Sequence, residues 1–137
     1  MNLNWDTILK GISAAACGIA GFLWGELDGL MLALIAFMTI DYLTGLIVGY
    51  KTRRLSSRTG FTGIARKGVI LLVVAVAHIL DTQLFGGESS VCRSTAIGFY
   101  LANEGISIME NTTNLGVPWP PALVRALQQI KQENDED

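Results

Sequence analysis

Three carboxylates lie inside the long apolar stretches of this 137-residue chain. Asp41 is 13 residues after Asp28 and ten before Lys51, so helical rise places it about 20 Å and 15 Å from those two charges. Asp81 and Glu104 are the other two. A carboxylate at this depth in a bilayer costs roughly 2.5 to 3.5 kcal/mol on insertion scales. Each of the three therefore needs a partner, a proton or water.

These carboxylates and the polar residues near them predict one intramembrane polar seam. Its members are Asp41, His78, Asp81, Asn103 and Glu104. The seam has two interpretations. It lines a water-filled lesion when several chains assemble, or its carboxylates pair with Asn103, Thr39, Thr44 or His78 inside one bundle and fix the helix register.

The chain carries little that could perform catalysis. One histidine and two cysteines are too few for a closed zinc site, and the sequence lacks a P-loop, an HExxH run and a G-x-S-x-G elbow. We predict no catalytic, cofactor-binding or metal site and no enzymatic activity. The net charge of -2 argues against a nucleic-acid partner.

The elements that must position the seam are membrane helices. Only 16% of the residues are charged, 15 are glycine, and the mean hydropathy is +0.42. We predict an all-α membrane protein with about four transmembrane helices and a short amphipathic C-terminal helix. The spans are expected at about 7–25, 29–50, 68–87 and 94–111, within a membrane domain of residues 1–117. The fourth is the weakest, because Asn103 and Glu104 interrupt it, and a re-entrant helix is its alternative.

Charge placement predicts the orientation. Residues 51–67 carry six positive charges and no acid, so the positive-inside rule makes them a cytoplasmic basic loop. These charges are Lys51, Arg53, Arg54, Arg58, Arg66 and Lys67. Four spans then place both termini in the cytoplasm. There, residues 118–137 are expected to form an amphipathic helix, on the inner leaflet or against a neighbour, followed by a solvated, disordered tail at 133–137.

Small residues at four-residue spacing predict close helix packing. Such pairs let two backbones approach each other and favour a homo-oligomer within the lipid bilayer. The pairs are Ala14 with Gly18, Gly21 with Gly25, and Gly45 with Gly49. Cys17 is expected to be a packed apolar residue and Cys92 a free thiol in an outer loop.

The order of several motifs resembles the toxin-secretion/phage-lysis holin family (bacteriophage holin family 4). The resemblance covers about residues 20–132 and includes WGELDG at 24–29, IDYLTGL at 40–46, GIARKG at 63–68, HILD at 78–81 and FYLANEGIS at 99–107. It implies a phage-encoded inner-membrane protein that oligomerises into lesions. The lesions release an endolysin for host lysis, and the endolysin is a functional partner that needs no direct contact. Some relatives export toxins instead. The motifs include Asp41, Asp81 and Glu104, but the resemblance assigns them no role.

A second class of function stays open at this point. Small multidrug-type antiporters also have about four short spans and a membrane-embedded carboxylate that exchanges protons for cations. Proton-coupled uptake without loss of viability would indicate an antiporter. Abrupt dye entry at a critical expression level would indicate a holin.

Overall fold

The computed structural model describes residues 4–135, and the described part of the chain is helical without strands. The all-α prediction is therefore confirmed. The helices are α1 (Trp5–Trp24), α2 (Gly29–Lys51), α3 (Ser57–Ile79), α4 (Val91–Asn114) and α5 (Pro121–Asp135). A π-helical turn, Leu80–Leu84, continues α3 without a break.

Three of these helices are long and apolar enough to cross a membrane. They are α1, α2, and α3 together with its π-helical turn. The fourth expected span does not join them, although α4 has 24 residues. Its polar side chains, among them Arg93, Glu104 and Asn111, lower its hydropathy below that of a typical span. Length and composition thus support three spans, not the four expected.

Local capping decides where α3 begins. The Ser56 hydroxyl accepts a hydrogen bond from the Thr59 amide at 3.2 Å, and the Thr59 hydroxyl accepts one from the Ser56 amide at 3.1 Å. This reciprocal pair is a capping box, which satisfies two free amides at a helix start. The helix therefore begins at Ser57, well before the expected residue 68. Only 52–56 of the predicted basic loop connect α2 to α3, and Lys67 lies inside a helix.

The core lies between α2, α3 and α4. Its buried side chains are Met31, Leu34, Met38, Ile70, Val74 and Ile97. Helix α4 runs antiparallel to α2 along its whole length. Arg93 contacts Asp28 at one end, and the Lys51 ammonium donates to the Asn114 carbonyl at the other. Helix α1 is peripheral, with none of its residues buried.

Helix α5 folds back onto α4 of the same chain. A Cβ atom at Gly105 would lie 2.9 Å from Cδ2 of Leu127, so the glycine is what lets the two helices approach. The Trp119 indole donates to the Thr112 hydroxyl at 2.7 Å and fixes the connection. Helix α5 also continues through Glu133 to Asp135, where the sequence predicted disorder. The last two residues of that expected tail, 136–137, lie outside the described residues.

Candidate functional site

The first polar site joins one charged residue from each of α2, α3 and α4. The Lys67 ammonium donates to Oδ2 of Asp41 at 2.7 Å and also to Oε2 of Glu104. The Glu104 side chain is only 5% exposed, and those of Lys67 and Asp41 are 16% exposed. We call these three residues the Lys67 triad. With two carboxylates and one ammonium, all ionised, its formal charge is -1.

A neutral side chain from α4 completes the surroundings of Asp41. The Asn111 amide donates to Oδ1 of Asp41 at 3.1 Å, to the Asp41 carbonyl at 3.3 Å and to the Thr44 hydroxyl at 3.1 Å. A Cβ at Gly45 would lie 3.6 Å from the same amide nitrogen. Hydrogen bonds to a charged group are the stronger kind. Three helices therefore hold Asp41 in one position.

A cavity of about 300 Å³ lies beside the Lys67 triad and includes its three side chains in its wall. Asn103 and Asn111 of α4 also line it, as does Arg54 of the α2–α3 connection. The triad makes one part of the cavity wall polar, and Arg54 extends the wall towards the basic end of the bundle. The sequence offers Asn103 as a partner of the carboxylates; its side chain lines the cavity but makes no hydrogen bond to Asp41 or Glu104 among the described residues.

The second polar site lies at the end of the bundle where the α1–α2 and α3–α4 connections are. The Asp81 carboxylate accepts hydrogen bonds from the backbone amides of Cys92 at 3.0 Å and Arg93 at 2.8 Å. These amides belong to the first turn of α4, whose own N-cap residue, Ser90, makes no side-chain cap. Asp81 therefore caps α4 from a distance and complements the positive end of its dipole.

The Arg93 side chain ties the α1–α2 connection to α4. Its guanidinium donates to the carbonyls of Trp24 at 2.8 Å and Glu26 at 3.0 Å, and to both carboxylate oxygens of Asp28 at 2.7 and 3.2 Å. Hydrogen bonds from Arg93, followed by one from the Met31 amide, hold the pKa of Asp28 below its usual range. We call Asp28, Asp81 and Arg93 the Arg93 cluster.

The predicted seam is thus divided between the middle of the bundle and the end that holds the α1–α2 connection. Asp41 and Glu104 come together, whereas Asp81 belongs to the Arg93 cluster. His78 packs near Gly25, where a Cβ would lie 2.7 Å from Cε1 of the imidazole. Two threonines are the other expected partners. Thr44 is linked to Asp41 through the Asn111 amide, which donates to both side chains. The Thr39 hydroxyl donates to the Ile35 carbonyl of its own helix.

Sequence reasoning missed two residues of this site, Lys67 and Asn111. The sequence predicts Lys67 in the basic loop, because it follows Arg66 in a run of positive charge. The capping box of Ser56 and Thr59 was the signal that places it inside α3, about 15 Å from the helix start at 1.5 Å per residue. Asn111 carried no signal, because its role depends on how α4 lies against α2.

The small residues separate into two groups. Gly45 faces Asn111, and a Cβ at Gly49 would lie 3.4 Å from the Leu55 side chain, so both serve packing within the chain. On α1, added Cβ atoms at Gly18 and Gly21 meet nothing within 4 Å, and Ala14 is exposed. Within residues 4–135 no group of three or more His, Cys, Asp or Glu side chains is placed to hold a metal ion.

Comparison with known proteins decides the family. The bacteriophage holin family matches residues 18–132, which is most of the chain. The chain belongs to this holin family. A probable holin of Bacillus phage phi105 is 37% identical to this holin over 115 residues, covering 84% of this chain and 83% of the phage protein. No solved structure matches.

Bacterial proteins are similar to this holin as well. A Listeria monocytogenes protein is 41% identical over 132 residues, covering 96% of this holin and 93% of the relative. A Clostridium perfringens protein is 43% identical over 114 residues, covering 83% and 84%. The family is not an enzyme family. Family membership and three apolar helices point to the membrane as the place where this holin acts.

Proposed function

We propose that this holin oligomerises in the bacterial cytoplasmic membrane into lesions that release an endolysin for host lysis. The same lesion would pass a secreted toxin in a cell that makes one. The Lys67 triad carries the proposal. It is a charged group between apolar helices whose hydrogen bonds are satisfied inside one chain. One chain can therefore hide these charges, and an assembly can expose them to water.

We further propose that α4 is the fourth span, with both termini in the cytoplasm. Its ends coincide with those of α2, because Arg93 meets Asp28 and Asn114 meets Lys51. A helix antiparallel to a spanning helix over its full length crosses the same thickness. Its charged residues Arg93 and Glu104 are buried against neighbouring parts of the bundle and so avoid lipid.

Assembly would shift the chain between two arrangements. In the separate chain the Lys67 ammonium offsets the charge of Asp41 and Glu104. In an oligomer whose polar faces meet, water solvates the same carboxylates and lowers the cost of parting them from Lys67. The unburied face of α1 with Ala14 and Gly18 suits contact between chains, because small residues allow close approach of helices.

Timed lysis tests the proposal. Asp41→Asn or Glu104→Gln removes one charge of the triad, so each variant should change the moment of abrupt dye entry in an inducible expression assay, with membrane insertion retained. Glu110→Gln is the matched control, because it makes the same chemical change on an exposed residue of the same helix. This control should lyse cells at the wild-type moment.

Two outcomes would contradict parts of the proposal. If dye entry occurs at the wild-type moment in both triad variants, the Lys67 triad has no role in lesion formation. Stable insertion of the wild-type holin at high expression, without dye entry or loss of membrane potential, would contradict the lesion itself. Proton-coupled cation uptake in vesicles would then indicate the antiporter class.

A further inference from the structure

Two arginines line the cavity beside the Lys67 triad without a partner among residues 4–135. Arg54 and Arg66 both line it and are both exposed. Neither guanidinium has a hydrogen-bond or ion-pair partner among the side chains that the structure describes. Lys67, in contrast, is fully engaged by two carboxylates. The mouth of the cavity therefore offers two cations that have no partner in the described part of the chain.

The start of α3 adds to the positive character of this mouth. Thr59 and Gly60 line the cavity at the start of the helix, where the dipole is positive; their own amides are bonded to Ser56, so the helix contributes its dipole and not these two donors. Arginine guanidinium groups together with a helix N-terminus form a typical environment for a phosphate. Basic pockets between membrane helices on the cytoplasmic side bind lipid headgroups for the same reason.

The floor of the cavity has the opposite character. Asp41 and Glu104 share one ammonium, so the floor carries a formal charge of -1 and presents hydrogen-bond acceptors. It repels a bare anion but accepts hydroxyl hydrogens. The Asn103 side chain, which has no hydrogen-bond partner in the described residues, adds an amide to the same wall. A fitting ligand is anionic at one end and carries hydroxyl groups at the other.

We propose that this cavity binds a glycerol phosphate group. The phosphate lies on Arg54 and Arg66 at the mouth, and the glycerol hydroxyls point towards the Lys67 triad. The volume of about 300 Å³ is at the small end of ligand sites in proteins. The group belongs either to the headgroup of an anionic phospholipid or to free glycerol phosphate. This inference does not depend on lesion formation.

Binding to the purified full-length holin in neutral detergent tests the site. Short-chain phosphatidylglycerol is titrated, with phosphatidylcholine as the uncharged comparison, and bound lipid is counted by native mass spectrometry. Arg54→Gln and Arg66→Gln should each weaken phosphatidylglycerol binding about tenfold or more, since each removes a charged hydrogen-bond donor. Helix content by circular dichroism verifies that the variants are folded.

Arg53→Gln and Arg58→Gln are matched controls. They remove the same charge from the same basic segment, but neither residue lines the cavity. Both should bind phosphatidylglycerol within about twofold of the unaltered holin, because they change only the screened surface charge. Two results would contradict the proposed site. One is an equal loss of phosphatidylglycerol binding in all four variants, and the other is equal binding of phosphatidylglycerol and phosphatidylcholine.

Soluble ligands distinguish the two sources. If glycerol phosphate binds as tightly as phosphatidylglycerol and depends on the same two arginines, the free compound is the ligand. If phosphatidylglycerol binds at least about tenfold more tightly with that dependence, the ligand is the lipid headgroup. Inorganic phosphate that binds as well as glycerol phosphate would contradict the role of the floor.

Discussion

The two polar sites of this holin hold buried charge in different ways. Asp81 accepts hydrogen bonds from two backbone amides, and Arg93 donates two of its four side-chain hydrogen bonds to backbone carbonyls. These backbone groups cannot move without unwinding a helix or a turn. The Lys67 triad is held by side chains, and it borders a cavity. Charge bound to backbone fixes the fold, whereas charge bound to side chains can change partners.

This difference assigns distinct roles to the two polar sites. The Arg93 cluster joins the α1–α2 connection to the start of α4, so it fixes which helices are neighbours. The Lys67 triad has one more carboxylate than ammonium and can gain a proton, water or a ligand hydroxyl. We therefore expect the Arg93 cluster to control stability and the Lys67 triad to control the moment of assembly.

Removal of Arg93 should have the largest effect on stability. Arg93→Leu removes the hydrogen bonds of a buried guanidinium to the Trp24 and Glu26 carbonyls and to the half-exposed Asp28 carboxylate. Hydrogen bonds that involve a charged group contribute roughly 1.5 to 3 kcal/mol each, so we expect a loss of about 3 kcal/mol. Unfolding of the purified holin in detergent, followed by circular dichroism, measures the loss. Arg93→Lys should recover only part of it, because an ammonium cannot reproduce the bidentate contact. A fully stable Arg93→Leu variant would contradict the structural role of this cluster.

Removal of Lys67 should cost less. Lys67→Met leaves Asp41 and Glu104 together, but one of them can take up a proton, so we expect a loss of about 2 kcal/mol in the same unfolding assay. The triple variant that adds Asp41→Asn and Glu104→Gln should regain part of the loss, because it removes the unpaired charges. A triple variant less stable than Lys67→Met would show that the carboxylates do not oppose each other.

The smallest effect concerns Asp28 and depends on pH. Its lowered pKa means that the pair with Arg93 stabilises the fold above the unfolded pKa of the carboxyl, and that this contribution is lost as pH falls through the folded pKa. Asp28→Asn keeps a good N-cap residue but removes the charge. At 41% exposure of the Asp28 side chain, we expect a loss of about 1 kcal/mol or less at neutral pH.

An unfolding series from neutral to acidic pH measures this dependence. The difference in unfolding free energy between Asp28→Asn and the unaltered holin should shrink as pH falls and disappear below the folded pKa of Asp28. If the difference in unfolding free energy stays constant with pH, the effect of Asp28→Asn comes from packing. The Asp28–Arg93 ion pair would then contribute nothing to stability.

The sequence determined the features that depend on composition and local spacing. Apolar runs predicted the three candidate membrane helices, because lipid demands about 20 apolar residues per span. The insertion cost of carboxylates singled out Asp41, Asp81 and Glu104 as residues that need partners. The amphipathic pattern after Pro121 predicted α5. Each of these follows from neighbours along the chain, which the sequence contains.

Tertiary structure alone decided which partner each charge has. Lys67 lies 26 residues from Asp41 and 37 from Glu104, and Arg93 is 65 residues from Asp28, so no local pattern links them. The pairing depends on the order, tilt and rotation of helices, which are set by packed side chains such as Leu127 against Gly105. An ionisable residue within an apolar run predicts from the sequence that a partner is needed. Helix packing then decides which residue comes within hydrogen-bond distance.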